Sequence, residues 1–117
     1  MAKINYLELP VRDVAGSKAF YAAAFDWTFT DFGPDYAATT TGDSDLGLNG
    51  DAAQSTAQLL PVIEVENLED ALERVTRSGG VITLPIFAFP GGRRFHFRDP
   101  AGHELAAMQP DAAAHEA

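Results

Sequence analysis

Residues 59–80 read LLPVIEVENLEDALERVTRSGG, and the hydrophobic period changes halfway through them. Up to Val65 the residues alternate, with Leu59, Pro61, Ile63 and Val65 on one face and Leu60, Val62 and Glu64 on the other, as in a strand. From Leu68 the apolar positions are Leu68, Ala71, Leu72 and Val75, the i, i+3, i+4, i+7 stripe of an amphipathic helix. Asn67 stands where an N-cap is needed, and Gly79-Gly80 where the helix must stop. Asp70–Arg74 and Glu73–Arg77 are spaced for pairing on its wet side.

The same unit occurs 54 residues earlier, with Val11 falling on Val65, Asp13 on Asn67 and Val14 on Leu68. There INYLELPV (residues 4–11) alternates, placing Leu7, Leu9 and Val11 on one face and Tyr6 and Glu8 on the other. Asp13 is the expected cap of a helix through about Phe25. Three strand-like pieces follow each helix: WTFTDF, YAATTT and DLGL in the first half, and VITLPIFAF, RRFHFR and HELAAM in the second. The chain therefore reads βαβββ twice, in modules of about 1–54 and 55–110, an internal duplication. The expected class is α+β: two βαβββ modules forming a curved mixed sheet around a cup, with helices on its back. The tail, 111–117, is small and polar and is expected to fray.

Composition narrows the function. The length of 117 residues suits one domain. A net charge of −9 disfavours nucleic acid. No apolar run approaches the roughly 18 residues of a membrane span. With no secretory leader at the N-terminus, a cytoplasmic protein is expected. The absence of cysteine removes disulfides and thiolate chemistry. Between Lys18 and Arg74 there are eleven acidic residues and no Lys or Arg, which suits a cationic or amphipathic ligand.

The last hairpin can be registered from its turn. Asp99-Pro100-Ala101-Gly102 has the residues of a type I turn followed by a left-handed Gly, a three-residue loop. Asp99 then faces His103, Arg98 faces Glu104, Phe97 faces Leu105 and His96 faces Ala106. This sorts Phe95, Phe97, Leu105 and Ala107 onto an apolar back. Arg94, His96, Arg98, Glu104, Ala106 and Met108 take the front, where Arg98 and Glu104 are placed to neutralise each other. Parity puts Tyr6 and Glu8 of the first strand, and Leu60 and Val62 of its repeat, on the same front. Trp27, Phe32 and Tyr36 are aromatic candidates to close the cup.

The segments LELPVRDVAGSKAFYAAAFDW, VENLEDALERVTRSGG and FRDPAGHELAAM, in this order and spacing, resemble the vicinal oxygen chelate superfamily of glyoxalases, bleomycin-resistance proteins and extradiol dioxygenases. The resemblance covers residues 4–109. It implies paired βαβββ modules around a cup and a homodimer. It also implies four metal-ligand seats in the metal-dependent enzymes. Those seats fall on Tyr6, Leu60 and Ala106, with the fourth near Gly47–Asn49, where no His or Glu stands. Such a set lacks the converging donors a divalent ion needs, so no metal and no other cofactor is expected.

Three functional readings follow. The first is a metal-free protein binding a small molecule at Tyr6, Glu8, Leu60, Val62, Arg94, His96, Arg98, Glu104, Ala106 and Met108. The second is a lyase, isomerase or dioxygenase-like enzyme with an atypical site, in which His96 and Glu8 are the catalytic candidates. The third is an accessory domain without chemistry of its own.

Overall fold

The structure is a computed structural model and describes residues 2–111, so most of the tail expected to fray lies outside the described residues. The elements run β1 (Lys3–Pro10), α1 (Val14–Phe25), β2 (Thr30–Asp31), β3 (Tyr36–Ala38), β4 (Asp45–Asn49), β5 (Leu60–Glu64), α2 (Leu68–Arg77), β6 (Val81–Phe89), β7 (Gly92–Arg98) and β8 (Glu104–Pro110). This is βαβββ twice, an α+β fold. The chain divides into two compact units, Asn5–Leu60 and the residues from Pro61 onward, the latter taking in the chain start through Ile4. Neither described helix is long and apolar enough to cross a membrane.

In the first unit β1 pairs in parallel with β4, β4 antiparallel with β3, and β3 antiparallel with β2. The Asp13 carboxylate caps α1 by accepting from the Gly16 amide at 3.1 Å. The helix closes on Asp26, which adopts the left-handed conformation at φ 61°. It packs against β3 and β4, yet none of its residues is buried. Its sequence explains this. In VAGSKAFYAAAF the small and aromatic residues are spread round the helix and gather into no single inward stripe, and its one charged side chain, Lys18, reaches Asp31. Phe20 and Phe25 stay exposed, at 61% and 57%.

The second unit repeats the plan: β5 is parallel to β8, β8 antiparallel to β7, and β7 antiparallel to β6. Here the helix stripe works as its spacing predicts. Leu68 is fully buried with Phe95, Phe97 and Ala107, and Ala71, Leu72 and Val75 pack around them. Ile63, Val65 and Leu105 join from the strands. Burying side chains of this size contributes about 1.5–3 kcal/mol each before entropy is counted. The Asn67 side chain caps α2 through the Asp70 amide at 2.9 Å. After Ser78, Gly79 at φ 98° turns the chain away.

The last hairpin has the expected register: Arg98 opposite Glu104, Phe97 opposite Leu105, His96 opposite Ala106. Its loop closes through Asp99 N–H on the His103 carbonyl at 3.0 Å, with Gly102 left-handed at φ 93°.

Three local expectations need correction. Leu59 precedes β5 and is exposed, because the strand begins one residue later. The pairs Asp70–Arg74 and Glu73–Arg77 do not form; Glu69 instead grips Arg93 of β7 through both guanidinium nitrogens, at 2.5 and 3.1 Å. Exposed i,i+4 pairs gain too little to fix two long side chains, whereas the Glu69–Arg93 contact is bidentate. It holds the Glu69 carboxyl below its usual range.

Candidate functional site

The front of the first module is organised by one glycine. Glu8 of β1 and Ala38 of β3 both register on Gly47 of β4, while Tyr6 lies opposite Asp45 and Tyr36 opposite Asn49. A Cβ at Gly47 would sit 2.1 Å from the Tyr6 hydroxyl and 2.3 Å from that of Tyr36. The two phenols fill the space a side chain would need. They meet at 2.5 Å, and Tyr36 donates onward to Glu8 Oε1 at 2.9 Å. The other carboxylate oxygen faces Asn49 Nδ2 at 3.5 Å. Asn49 is held in that orientation because its Oδ1 accepts from the Asp51 amide at 2.9 Å.

Glu8 is only 2% exposed, which a carboxylate tolerates when donors reach its oxygens. Burial raises the Tyr36 pKa far above the ordinary 10.0, and the Glu8 charge and Tyr6 push it further. Both influences favour the neutral phenol.

The second module places its polar group elsewhere. Val62 of β5 and His96 of β7 both register on Ala106 of β8. His96 is 3% exposed, with Nδ1 3.4 Å from Glu104 Oε2. Thr83 donates to that same oxygen at 3.0 Å. The Phe87 ring lies 6.0 Å from the imidazole. The Arg94 guanidinium covers Phe87 and Phe89, at 5.3 and 5.5 Å from the ring centroids, a cation–π arrangement. Such a strip can orient an imidazole for proton transfer or hold a flat ligand.

Matching the modules identifies the seat the sequence left open. Val62 pairs with Ala106, and its counterpart 54 residues earlier, Glu8, pairs with Gly47. By this register the fourth seat that the resemblance implies falls on Gly47, beside Tyr6, Leu60 and Ala106. Only Tyr6 offers a donor atom, and its hydroxyl is hydrogen-bonded to Tyr36. Leu60 and Ala106 are fully buried hydrocarbon. Among the described residues no three His, Cys, Asp or Glu gather closely enough to hold a metal ion. This donor set does not fit the divalent ion that the resemblance implies.

The candidates fall into two groups. Tyr6 and Glu8 come together in the first module, joined by Tyr36 and Asn49. In the second, Arg94 and His96 share the strip over Phe87, with Glu104 on the imidazole, while Val62 lies beside Ala106 and Met108 opposite Arg94. Arg98 does not neutralise Glu104. It is exposed and donates to the Gly102 carbonyl at 3.3 Å, leaving Glu104 to His96 and Thr83. Trp27 is no front residue either; it stacks on Tyr21 of α1, with ring centroids 5.7 Å apart. Phe32 is exposed and touches only the edge of Tyr36.

The sequence reading missed Asn49 and gave Tyr36 too small a part. Asp45-Leu-Gly-Leu-Asn49 set against Glu104-Leu-Ala-Ala-Met108 was the available signal, since acid, Leu and small residue recur in step.

The family model described as Glyoxalase/Bleomycin resistance protein/Dioxygenase superfamily matches residues 3–107. CFP32 of Mycobacterium bovis and of Mycobacterium tuberculosis, a proposed glyoxylase, is 25% identical over 90% of this chain. The chain spans 44% of the length of those relatives. Among solved structures, a glyoxalase/bleomycin resistance protein/dioxygenase superfamily member from Vibrio splendidus 12B01 superposes with a TM-score of 0.69 at 18% identity, covering 95% of this chain and 100% of that one. Methylmalonyl-CoA epimerase from Mycobacterium tuberculosis superposes with a TM-score of 0.73 at 12% identity, covering 97% and 91%. At such identities these structures are similar in fold.

Proposed function

Because the chain belongs to the glyoxalase/bleomycin resistance protein/dioxygenase superfamily, we propose that it binds a small organic molecule through the front faces of its modules without a metal at the family's seats. One observation carries the reading: the four seats hold Tyr6, Gly47, Leu60 and Ala106, and the single donor among them is already engaged with Tyr36. In place of an ion the first module offers a phenol–carboxylate chain. The second offers an imidazole and a guanidinium over aromatic rings. A few fixed polar groups beside apolar and aromatic walls are what small-molecule sites use. The acidic block between Lys18 and Arg74 favours a cationic or amphipathic ligand. We propose further that the working form is a homodimer, which exposed Phe20, Phe25 and Trp27 support.

Metal analysis of protein purified without chelator tests the first half of this reading. Substoichiometric Mn, Fe, Ni and Zn is expected, and a full equivalent of any of them sinks it. A thermal-shift screen tests the second half. A ligand at 100 times its Kd adds about 2.7 kcal/mol, and cationic or amphipathic compounds are expected to lead.

A second reading has its own support. His96 is buried with a carboxylate on Nδ1, the arrangement that orients an imidazole for acid–base work. Under it the protein is a lyase or isomerase using His96 and Glu8. Turnover of any substrate that survives His96→Ala unchanged removes that role.

A further inference from the structure

Residues 49–50 read Asn-Gly, the only such pair in the chain. Asparagine before glycine is the pair most open to deamidation, because glycine has no side chain to hinder the approach. The glycine nitrogen, once it loses its proton, attacks Cγ and closes a five-membered succinimide, and the side-chain nitrogen leaves as ammonia. Water then opens the ring at one carbonyl or the other, giving aspartate or isoaspartate. The packing explains why a glycine stands here. A Cβ at Gly50 would lie 2.7 Å from Cγ2 of Val14, so α1 occupies the space a side chain would need.

The fold opposes each step of that chemistry. The Asn49–Gly50 peptide is held on both sides: its carbonyl accepts from the Val11 amide at 3.0 Å, and its N–H donates to the Asp35 carbonyl at 2.7 Å. The proton that must leave is therefore shielded from base. The side chain is held as well, with Oδ1 on the Asp51 amide at 2.9 Å and Nδ2 toward Glu8 Oε2 at 3.5 Å. Asn49 is 5% exposed and ends β4, opposite Pro10 of β1 and Tyr36 of β3. From the extended backbone of a strand, ring closure needs a large rotation of ψ.

We infer that Asn49–Gly50 is a one-way modification site, silent while the end of β4 is closed and converted to aspartate or isoaspartate when the first module opens. Conversion replaces the amide that faces Glu8 with a second carboxylate, against one that is only 2% exposed. The isoaspartyl product also adds a methylene to the main chain of a strand paired on both sides. Neither product lets the module close as before, so openings accumulate as loss of its front face. The modification is independent of what the protein binds.

The test compares two rates on the wild-type protein at one mildly alkaline pH and one temperature. Deamidation is followed by peptide mass mapping and ammonia release, and opening by hydrogen exchange of the Gly50 amide. In the guanidinium-unfolded chain Asn49 should convert at least about tenfold faster than Asn5 and Asn67, whose followers Tyr6 and Leu68 hinder ring closure. In the native protein conversion should be slowed by the same factor by which folding slows Gly50 exchange. Sub-denaturing urea, which needs no substitution, should raise both native rates in parallel. The purified product should exchange its β3 and β4 amides faster than the unmodified protein does.

Three results would each overturn the inference. One is an unfolded chain in which Asn49 converts no faster than Asn5 and Asn67. Another is native conversion that departs from Gly50 exchange in either direction. The third is a product whose β3 and β4 amides exchange as before.

Discussion

In the first module the row Glu8, Gly47 and Ala38 crosses three adjacent strands; in the second the matching row is Val62, Ala106 and His96. The backbone plan is the same, but the ionisable group has moved from the first strand to the third. The helices differ as well. α2 is amphipathic and covers a core of Leu68, Phe95, Phe97 and Ala107, whereas α1 has no concentrated apolar stripe and buries nothing fully. The two modules share a hydrogen-bond ladder and differ in the side chains placed on it. The second module draws stability from its back. The first has a buried, hydrogen-bonded carboxylate, Glu8, on its front.

The largest expected effect sets the two backs against each other. Phe95→Ala empties the centre of the second module's core and should cost about 3–5 kcal/mol in urea or guanidinium unfolding. Phe20→Ala on α1 should change stability by less than about 0.5 kcal/mol. Comparable losses at both sites would break the contrast, and would mean that α1 is covered in solution.

Next comes the front of the first module. Gly47→Ala drives a methyl into both tyrosine hydroxyls, an overpacking that should cost about 1–3 kcal/mol. The variant should also lose the Tyr6–Tyr36 contact. Adding Tyr36→Phe relieves only one of the two clashes, so stability should be recovered in part. Full recovery would show that the Tyr6 hydroxyl yields easily and that the seat is looser than its distances imply.

The helix caps sharpen the comparison at a smaller scale. Asn67→Ala removes the cap of the helix over the second core and should lower global stability by about 1 kcal/mol. Asp13→Ala removes the equivalent cap from α1. There the loss should appear mainly as faster amide exchange within α1, because a helix with no buried residue opens without unfolding the rest. Equal shifts of the unfolding midpoint in both variants would contradict that.

Much of this was legible because it is local. Turn chemistry at Asp99–Gly102 fixed the hairpin, and parity then placed His96 opposite Ala106. The helix stripe foretold the second core. The first module's site is not local: Tyr6, Glu8, Tyr36 and Asn49 come from three strands, and nothing in the neighbourhood of Tyr36 announces Glu8. The fourth seat was missed for a reason of length. The repeat offset is 54 in the first strands but 59 between Gly47 and Ala106, because β6 and β7 are much longer than β2 and β3. A pattern whose small and aromatic residues are spread round the helix, as in α1, specifies no buried face. Exposure of Phe20 was therefore beyond periodicity.

The smallest expected effect depends on pH and belongs to the first module alone. Asp45, which opens β4, accepts from the hydroxyls of Thr39 and Thr41, each at 2.8 Å, and from the amides of Thr41 and Gly42 at 2.8 and 2.9 Å. Burial works to raise its pKa, but these donors outweigh it and hold the group below the ordinary 3.8. In acid, then, the folded chain binds fewer protons here than the unfolded chain. The stabilisation is complete above the unfolded value and is lost as pH falls through the lower folded one. Unfolding midpoints measured from pH 7 downward should drop below about pH 4. In Asp45→Asn that part of the drop should vanish, at the cost of a lower plateau at neutral pH, since an amide oxygen cannot match four donors on a charge. Thr83 and His96 share Glu104 at the matching start of β8, and breaking that turn's counterpart with Thr83→Val should leave the acid drop of Asp45 untouched. If the drop disappears there too, the two modules do not titrate as separate copies, and the contrast between them fails at its most local point.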